Sequence, residues 1–201
     1  MKKFTKHTGK TVAIFQPNID TDQILPKQFL KRITKSGYGD FLFFDWRFDE
    51  KGEPKPDFVL NQLRYADASI FLAGKNFGDG SSREHAPWAL ADFGFRVVIA
   101  PSFGEIFFSN CFKIGLLPVI LEEQIISTLV EKTETIENYS LTVDLEKLEI
   151  FDEQNFRMNF ETDEFRRECL LNGSDDINLI LKFEQKIGEF EKYRPNWILT
   201  V

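Results

Sequence analysis

Cysteine is almost missing from this chain. Its 201 residues include two, Cys111 and Cys169, with no C-x-x-C spacing. That excludes a disulfide-built fold and points to reduced thiols in a reducing compartment. Cys111 reads by default as a small buried apolar residue. Positive charge is also in short supply. Lys and Arg number 25 against 32 Asp and Glu, a net charge of -7. This argues against general nucleic-acid binding and against attachment to an anionic membrane. An anionic ligand must therefore be drawn in by local charge. No apolar run approaches the ~20 residues of a membrane helix. The N-terminus, residues 1–7, is basic, but no apolar run long enough for a signal peptide follows. Together these absences predict a cytoplasmic protein with no nucleic acid and no membrane among its partners. There is no internal repeat, low-complexity tract or linker, so residues 1–201 read as one domain.

What is present is a large aromatic core and one unusual stretch. The chain is 42% hydrophobic and has 22 phenylalanines. The stretch is Gly74-Lys75-Asn76-Phe77-Gly78-Asp79-Gly80-Ser81-Ser82-Arg83-Glu84-His85. An apolar run, 68–73, leads in, and an amphipathic segment, 86–93, leads out, which reads as strand, glycine-rich loop, helix start. Gly74, Gly78 and Gly80 allow sharp turns and close approach to a ligand. A helix start favours an anion through its unpaired N–H groups and partial positive charge. Ser81, Ser82, Arg83 and His85 add hydroxyls, a guanidinium and an imidazole at the same spot. The stretch reads as a site for a small carboxylate or phosphate. Ser81-x-x-Glu84 also fits a capping box. Pro87 disturbs that reading, because it has no N–H and disfavours helical angles at Ala86. Either the helix kinks at Pro87, or it starts there and 81–86 form an irregular turn.

Elsewhere the chain reads as an α/β protein. Strands are expected at 11–15, 68–73, 95–100 and 116–121, with helices between the last three. Gly94 and Gly115 stop those helices. Ser102-x-x-Glu105 forms a second capping box, and Pro118 suggests an edge strand or a bulge. This predicts a parallel βαβαβ core with ligands beyond the carboxyl ends of its strands. Pro26 opens a short helix, 27–33. A surface helix is expected at 122–132. Antiparallel strands follow at 141–145, 148–151 and 156–160. Two C-terminal helices follow, across about 163–193: Thr162 caps 163–171, and Ser174 caps 175–193, whose stripe is Leu179, Phe183, Ile187 and Phe190. The tail, 194–199, docks. Asp20 and Asp22 could bind a metal, but no further ligand lies near in sequence; they read as Asx turns that fix the loop and cap the next helix. The irregular segment 36–57 contains the aromatic run 41–48, read either as packing or as a flap that supplies Arg47 to a pocket.

The segments 4–9, 18–30, 42–48, 76–90 and 99–103, with 165–167 and 170–173, resemble the small subunits of 3-isopropylmalate dehydratase (isopropylmalate isomerase). That family belongs with the swivelling β/β/α domain of aconitase. The resemblance spans nearly the whole chain in order. It implies a hydro-lyase of leucine biosynthesis that interconverts 2- and 3-isopropylmalate through 2-isopropylmaleate. It also implies a separate large subunit that carries a 4Fe-4S cluster, with the present chain closing over it. Two scattered cysteines agree, since a cluster takes three or four thiolates. The resemblance assigns Ser81 as catalytic base and Ser82 and Arg83 as substrate contacts; Arg47 joins them on the flap reading. Gly78, Gly80, His85, Asp20 and Asp22 support the loop, and no metal ligand is expected in this chain. Many family members carry cysteine where this chain has Asp79; a carboxylate there is expected to weaken anion binding somewhat without ending activity. Related readings are the small subunit of a homoaconitase, citraconate or dimethylmalate enzyme, or a non-catalytic module such as an RNA-binding relative. The acidic balance speaks against the last.

Overall fold

Strand β1 (Lys6–Ile14) forms the spine of the molecule and has different partners along its length. Residues Lys6 to Lys10 pair antiparallel with β5 (Ser140–Asp144), and Thr11 to Ile14 pair parallel with β2 (Ile70–Ala73). This computed structural model describes residues 1–31, 36–80, 83–174 and 183–193. Outward from β2 lie β3 (Val97–Ala100) and then β4 (Leu117–Ile120), each parallel to its neighbour. Outward from β5 lie β6 (Glu149–Phe151) and β7 (Arg157–Asn159), both paired antiparallel. The described strands form one sheet in the order β4-β3-β2-β1-β5-β6-β7. The expected parallel core with added antiparallel strands is therefore what the chain builds.

The parallel strands are short and apolar because both their faces are covered. Side-chain alternation sends Phe71, Ala73, Val98 and Ala100 into one cluster and Ile70, Leu72, Val97 and Ile99 into the other. The first cluster also takes Ala86, Ala89 and Leu90 of α3 (His85–Phe93) and Phe107 and Cys111 of α4 (Glu105–Ile114). The second takes Ile126 and Leu129 of α5 (Glu123–Thr135) and Leu170 of α6 (Glu164–Asn172). Gly94 and Gly115 end α3 and α4 at positive φ, as expected. Pro118 sits in β4, at the edge of the sheet, where its missing N–H costs no ladder bond.

Several local expectations are corrected. β1 begins five residues earlier than read, because Lys6-His7-Thr8-Gly9-Lys10 is too polar to announce a strand. Ser102 does not cap α4; the cap position is Gly104, and Ser102 serves the glycine loop instead. Asp163, not Thr162, caps α6, its side chain accepting from the Arg166 N–H. The short helix after Pro26 is a 3-10 turn, Lys27–Lys31. The last described helix, α7 (Glu184–Lys192), carries Ile187 and Phe190 exposed, with exposed Phe183 just before it. The rest of that expected helix, 175–182 with Leu179, and the tail 194–199 lie outside the described residues.

The aromatic segment packs. A 3-10 turn, Gly39–Phe41, leads into α2 (Phe44–Arg47). Leu42 and Phe43 are fully buried, and Phe43 stacks against Trp46 and Phe71 at ring-centroid distances of 5.4 and 5.9 Å. This layer covers one face of the central strands.

Candidate active site

Three loops meet at the carboxyl ends of β1, β2 and β3. The middle one, starting at Gly74, is hydrogen-bonded on both flanks. On the β1 side, the Asn18 N–H donates to the Lys75 carbonyl (2.8 Å), the Gly78 N–H to Ile19 (2.7 Å) and the Thr21 N–H to Asp79 (3.0 Å). On the β3 side, the Phe77 N–H donates to the Ser102 carbonyl (3.0 Å) and the Gly104 N–H to Phe77 (2.9 Å). The Asn76 N–H reaches the Ser102 hydroxyl at 2.9 Å. The parallel pairing thus continues past the strands as bridges between Asp20 and Asp79 and between Phe77 and Phe103. Gly78 has φ +74°, and a Cβ there would stand 2.3 Å from the Phe107 ring. Gly80, at φ +99°, is exposed. The loop is consequently fixed at its base and open at its tip.

The tip leads into α3. Its cap position is Glu84, which is exposed and makes no side-chain capping bond. His85 is the first helical residue, and Trp88 donates the first intrahelical bond, to Glu84 at 3.2 Å. A capping box needs its Glu three residues inside the helix, so Ser81-x-x-Glu84 is not one. The helix starts at His85, two residues before Pro87. Pro87 thus falls in the first turn, where an N–H has no helical partner to lose. Ser81 and Ser82 lie outside the described residues.

Arg83 makes a two-pronged ion pair with Asp22: Nη1 donates to Oδ1, and Nη2 to Oδ2 at 3.3 Å. Lys27 Nζ lies 3.4 Å from the same Oδ2. The two acidic residues of the first loop therefore divide their work. Asp20 caps α1 (Thr21–Ile24) through a reciprocal box, accepting from the Gln23 N–H at 2.7 Å while its own N–H donates to the Gln23 side chain at 2.8 Å. Asp22 points at Arg83. Sequence reasoning found the capping role and missed the ion pair. The Asp79 carboxylate is exposed and accepts from the Asn76 side chain at 3.1 Å. His85 packs between the rings of Tyr38 (5.3 Å) and Trp88 (4.8 Å), which suits an orienting role. Beside Glu84, a cleft of about 450 Å³ runs between α3 and α4, lined by Trp88, Asp92, Asn110 and Lys113.

Arg47 is not brought to this loop. Its guanidinium donates to the carbonyls of Gly39 and Leu42, both at 3.3 Å, and to the Asn61 side chain at 3.2 Å. It lies over the Phe93 ring at 4.9 Å. Phe93 ends α3, whereas Arg83 precedes its start, about 12 Å away along a nine-residue helix. In this chain Arg47 ties the aromatic segment together.

The two cysteines do not form a ligand set. Cys111 is fully buried on α4, where burial pushes its thiol well above the usual range, and Cys169 is buried on α6. Among the described residues no three His, Cys, Asp or Glu side chains gather as metal ligands. No helix among them is long and apolar enough to cross a membrane.

Comparison with known proteins adds to this geometry. The family described as the aconitase C-terminal domain matches residues 1–124. The 3-isopropylmalate dehydratase small subunit of Koribacter versatilis is 54% identical over 192 residues, covering 96% of this chain and 98% of that protein. The small subunit of the same name from Bacillus subtilis is 51% identical over 198 residues, covering 98% and 99%. A crystal structure of 3-isopropylmalate dehydratase from Methanocaldococcus jannaschii superposes with a TM-score of 0.63 at 26% identity, covering 93% of this chain and 99% of that one.

Proposed function

The chain belongs to the aconitase C-terminal domain family, among the small subunits of 3-isopropylmalate dehydratase, and on that footing we propose how its residues serve the hydro-lyase reaction. The reaction isomerises 2- and 3-isopropylmalate through 2-isopropylmaleate in leucine biosynthesis, in the cytoplasm. It requires a base for a proton beside a carboxylate, help for a departing hydroxide, and donors that hold two carboxylates.

This chain supplies the first and part of the third. Ser81 removes the proton. A serine hydroxyl is a weak base at its free pKa, so the alkoxide must be stabilised by loop N–H groups and the neighbouring guanidinium. Arg83 grips one carboxylate in the planar, two-point manner that suits guanidinium groups, and Ser82 donates a further bond. Gly78 and Gly80 shape the turn, and His85 orients its exit. A large subunit binds over the loop and carries the 4Fe-4S cluster, whose iron supplies Lewis-acid help to the leaving hydroxide. The cysteines here, two and both buried, do not fit that group, so no step of this chain runs through it.

The observation that supports this reading best is the loop itself: rigid at its base through pairing on both flanks, open at Gly80, and leading to Arg83 and α3. The test is reconstitution. Purified small subunit alone should be inactive. Mixed with the large subunit, it should convert 2-isopropylmalate faster than citraconate hydrate, homocitrate or dimethylmalate. Equal or better turnover of another hydroxy-diacid would move the chain to that enzyme, and turnover without the large subunit would end the proposal.

A further inference from the structure

Arg83 meets Asp22 with the same two-point geometry that a guanidinium uses for a substrate carboxylate. An internal carboxylate at an anion site invites two opposite expectations: it competes with substrate, or it aims the arginine. The surroundings favour aiming. Asp22 sits on α1, whose start is fixed by the Asp20–Gln23 box. The Thr21 N–H, one residue before Asp22, donates to the Asp79 carbonyl of the glycine loop at 3.0 Å. Asp22 is therefore tied to the loop whose arginine it holds, and the two cannot drift apart independently. Lys27, 3.4 Å from Asp22, keeps the group electropositive: two cations and one carboxylate leave a net charge of +1.

We infer that Asp22 is a positioning residue, holding the Arg83 guanidinium in the plane and direction in which it receives a substrate carboxylate. This rests on the proposed role of Arg83 in substrate binding. Asp22 engages one N–H on each terminal nitrogen of the guanidinium, which fixes both its plane and its direction. An arginine side chain has many rotamers to lose on being ordered. Fixing it beforehand removes that ordering cost from substrate binding. Lys27 offsets the charge of Asp22, so aiming the arginine does not cancel its attraction for an anion.

The test uses the reconstituted two-subunit enzyme with 2-isopropylmalate. Asp22→Asn keeps the shape and removes the charge. It should raise KM about tenfold and leave kcat within about threefold. Asp22→Glu, which restores a carboxylate, should recover most of the lost affinity. The Asp22→Asn/Arg83→Lys double variant should have the KM of Arg83→Lys alone, since both changes disable one unit. Three outcomes overturn the inference. An unchanged KM in Asp22→Asn, with a raised KM in Arg83→Lys, removes the positioning role and leaves the substrate role of Arg83 standing. A lowered KM in Asp22→Asn makes Asp22 a competitor. An unchanged KM in Arg83→Lys removes the substrate role of Arg83, and the positioning role falls with it. Should Asp22→Asn fail to assemble with the large subunit, Asp22→Glu decides alone: it must assemble with a near-native KM, and a large rise in KM refutes the inference.

Discussion

At position 78 the fold accepts nothing larger than hydrogen. The backbone there is left-handed, and the space a Cβ needs is filled by the Phe107 ring. Gly78→Ala should therefore cost about 3 kcal/mol, combining strain at positive φ with overpacking. Gly52, at φ +81° with open space around it, is the control; Gly52→Ala should cost about 1 kcal/mol. Urea denaturation of both variants separates the two contributions, and equal losses would show that the Phe107 contact is irrelevant. Arg47 makes the opposite point. Its Nη1 is spent on the Gly39 and Leu42 carbonyls and its Nε on Asn61, and burial lowers its pKa. Arg47→Lys loses the planar fork. It should cost about 1–2 kcal/mol of stability while leaving KM for 2-isopropylmalate within about twofold. A raised KM with unchanged stability would return Arg47 to the substrate. In the sequence, an arginine among aromatics is compatible with either role; only its neighbours decide.

Among the elements, one carboxylate ties the turn beyond β6 to α5 and to Tyr139. Asp152 follows β6. Its Oδ1 accepts the N–H groups of Gln154 (2.7 Å) and Phe156 (2.8 Å), closing the turn toward β7. Its Oδ2 accepts Lys132 of α5 (2.6 Å) and the Tyr139 hydroxyl (2.7 Å). Burial opposes its ionisation, but these bonds outweigh burial and bring its pKa down to about 2. Burial and the neighbouring carboxylate push the Tyr139 hydroxyl upward. A lowered carboxylate pKa stabilises the fold above the unfolded value of about 3.9. That stability drains as pH falls through the window down to about 2. Asp152→Asn should lose about 3 kcal/mol near neutral pH. Its stability should also change less than wild type across that acid window, measured by denaturant titration at each pH. An unaltered acid profile would contradict the assignment. Apolar strands β2 to β4 were legible because both faces are buried and no polar residue interrupts them. The first half of β1 was not, since Lys-His-Thr-Gly-Lys takes its strand form from pairing with β5 across more than a hundred residues. The Ser102 and Thr162 caps were misread for a related reason: each has a capping residue's chemistry, but packing starts the helix one or two positions later.

For the whole molecule, legibility followed sequence separation. The glycine loop and helix start are contiguous, so one pass along the chain picked out the candidate site. The Arg83–Asp22 pair joins residues 61 apart and left no local trace. The molecule carries a net charge of -7, so on the proposed function a dianion would be drawn in by the Arg83–Asp22–Lys27 group and by what a large subunit contributes. The central claim is that this chain provides the base and part of the carboxylate grip, and the partner provides the metal. Its most direct test is kcat of the complex assembled from Ser81→Ala small subunit and native large subunit, with assembly verified by size-exclusion chromatography. The account predicts an intact complex and a fall of about 10²–10⁴-fold; an intact complex turning over at near-native rate would contradict it.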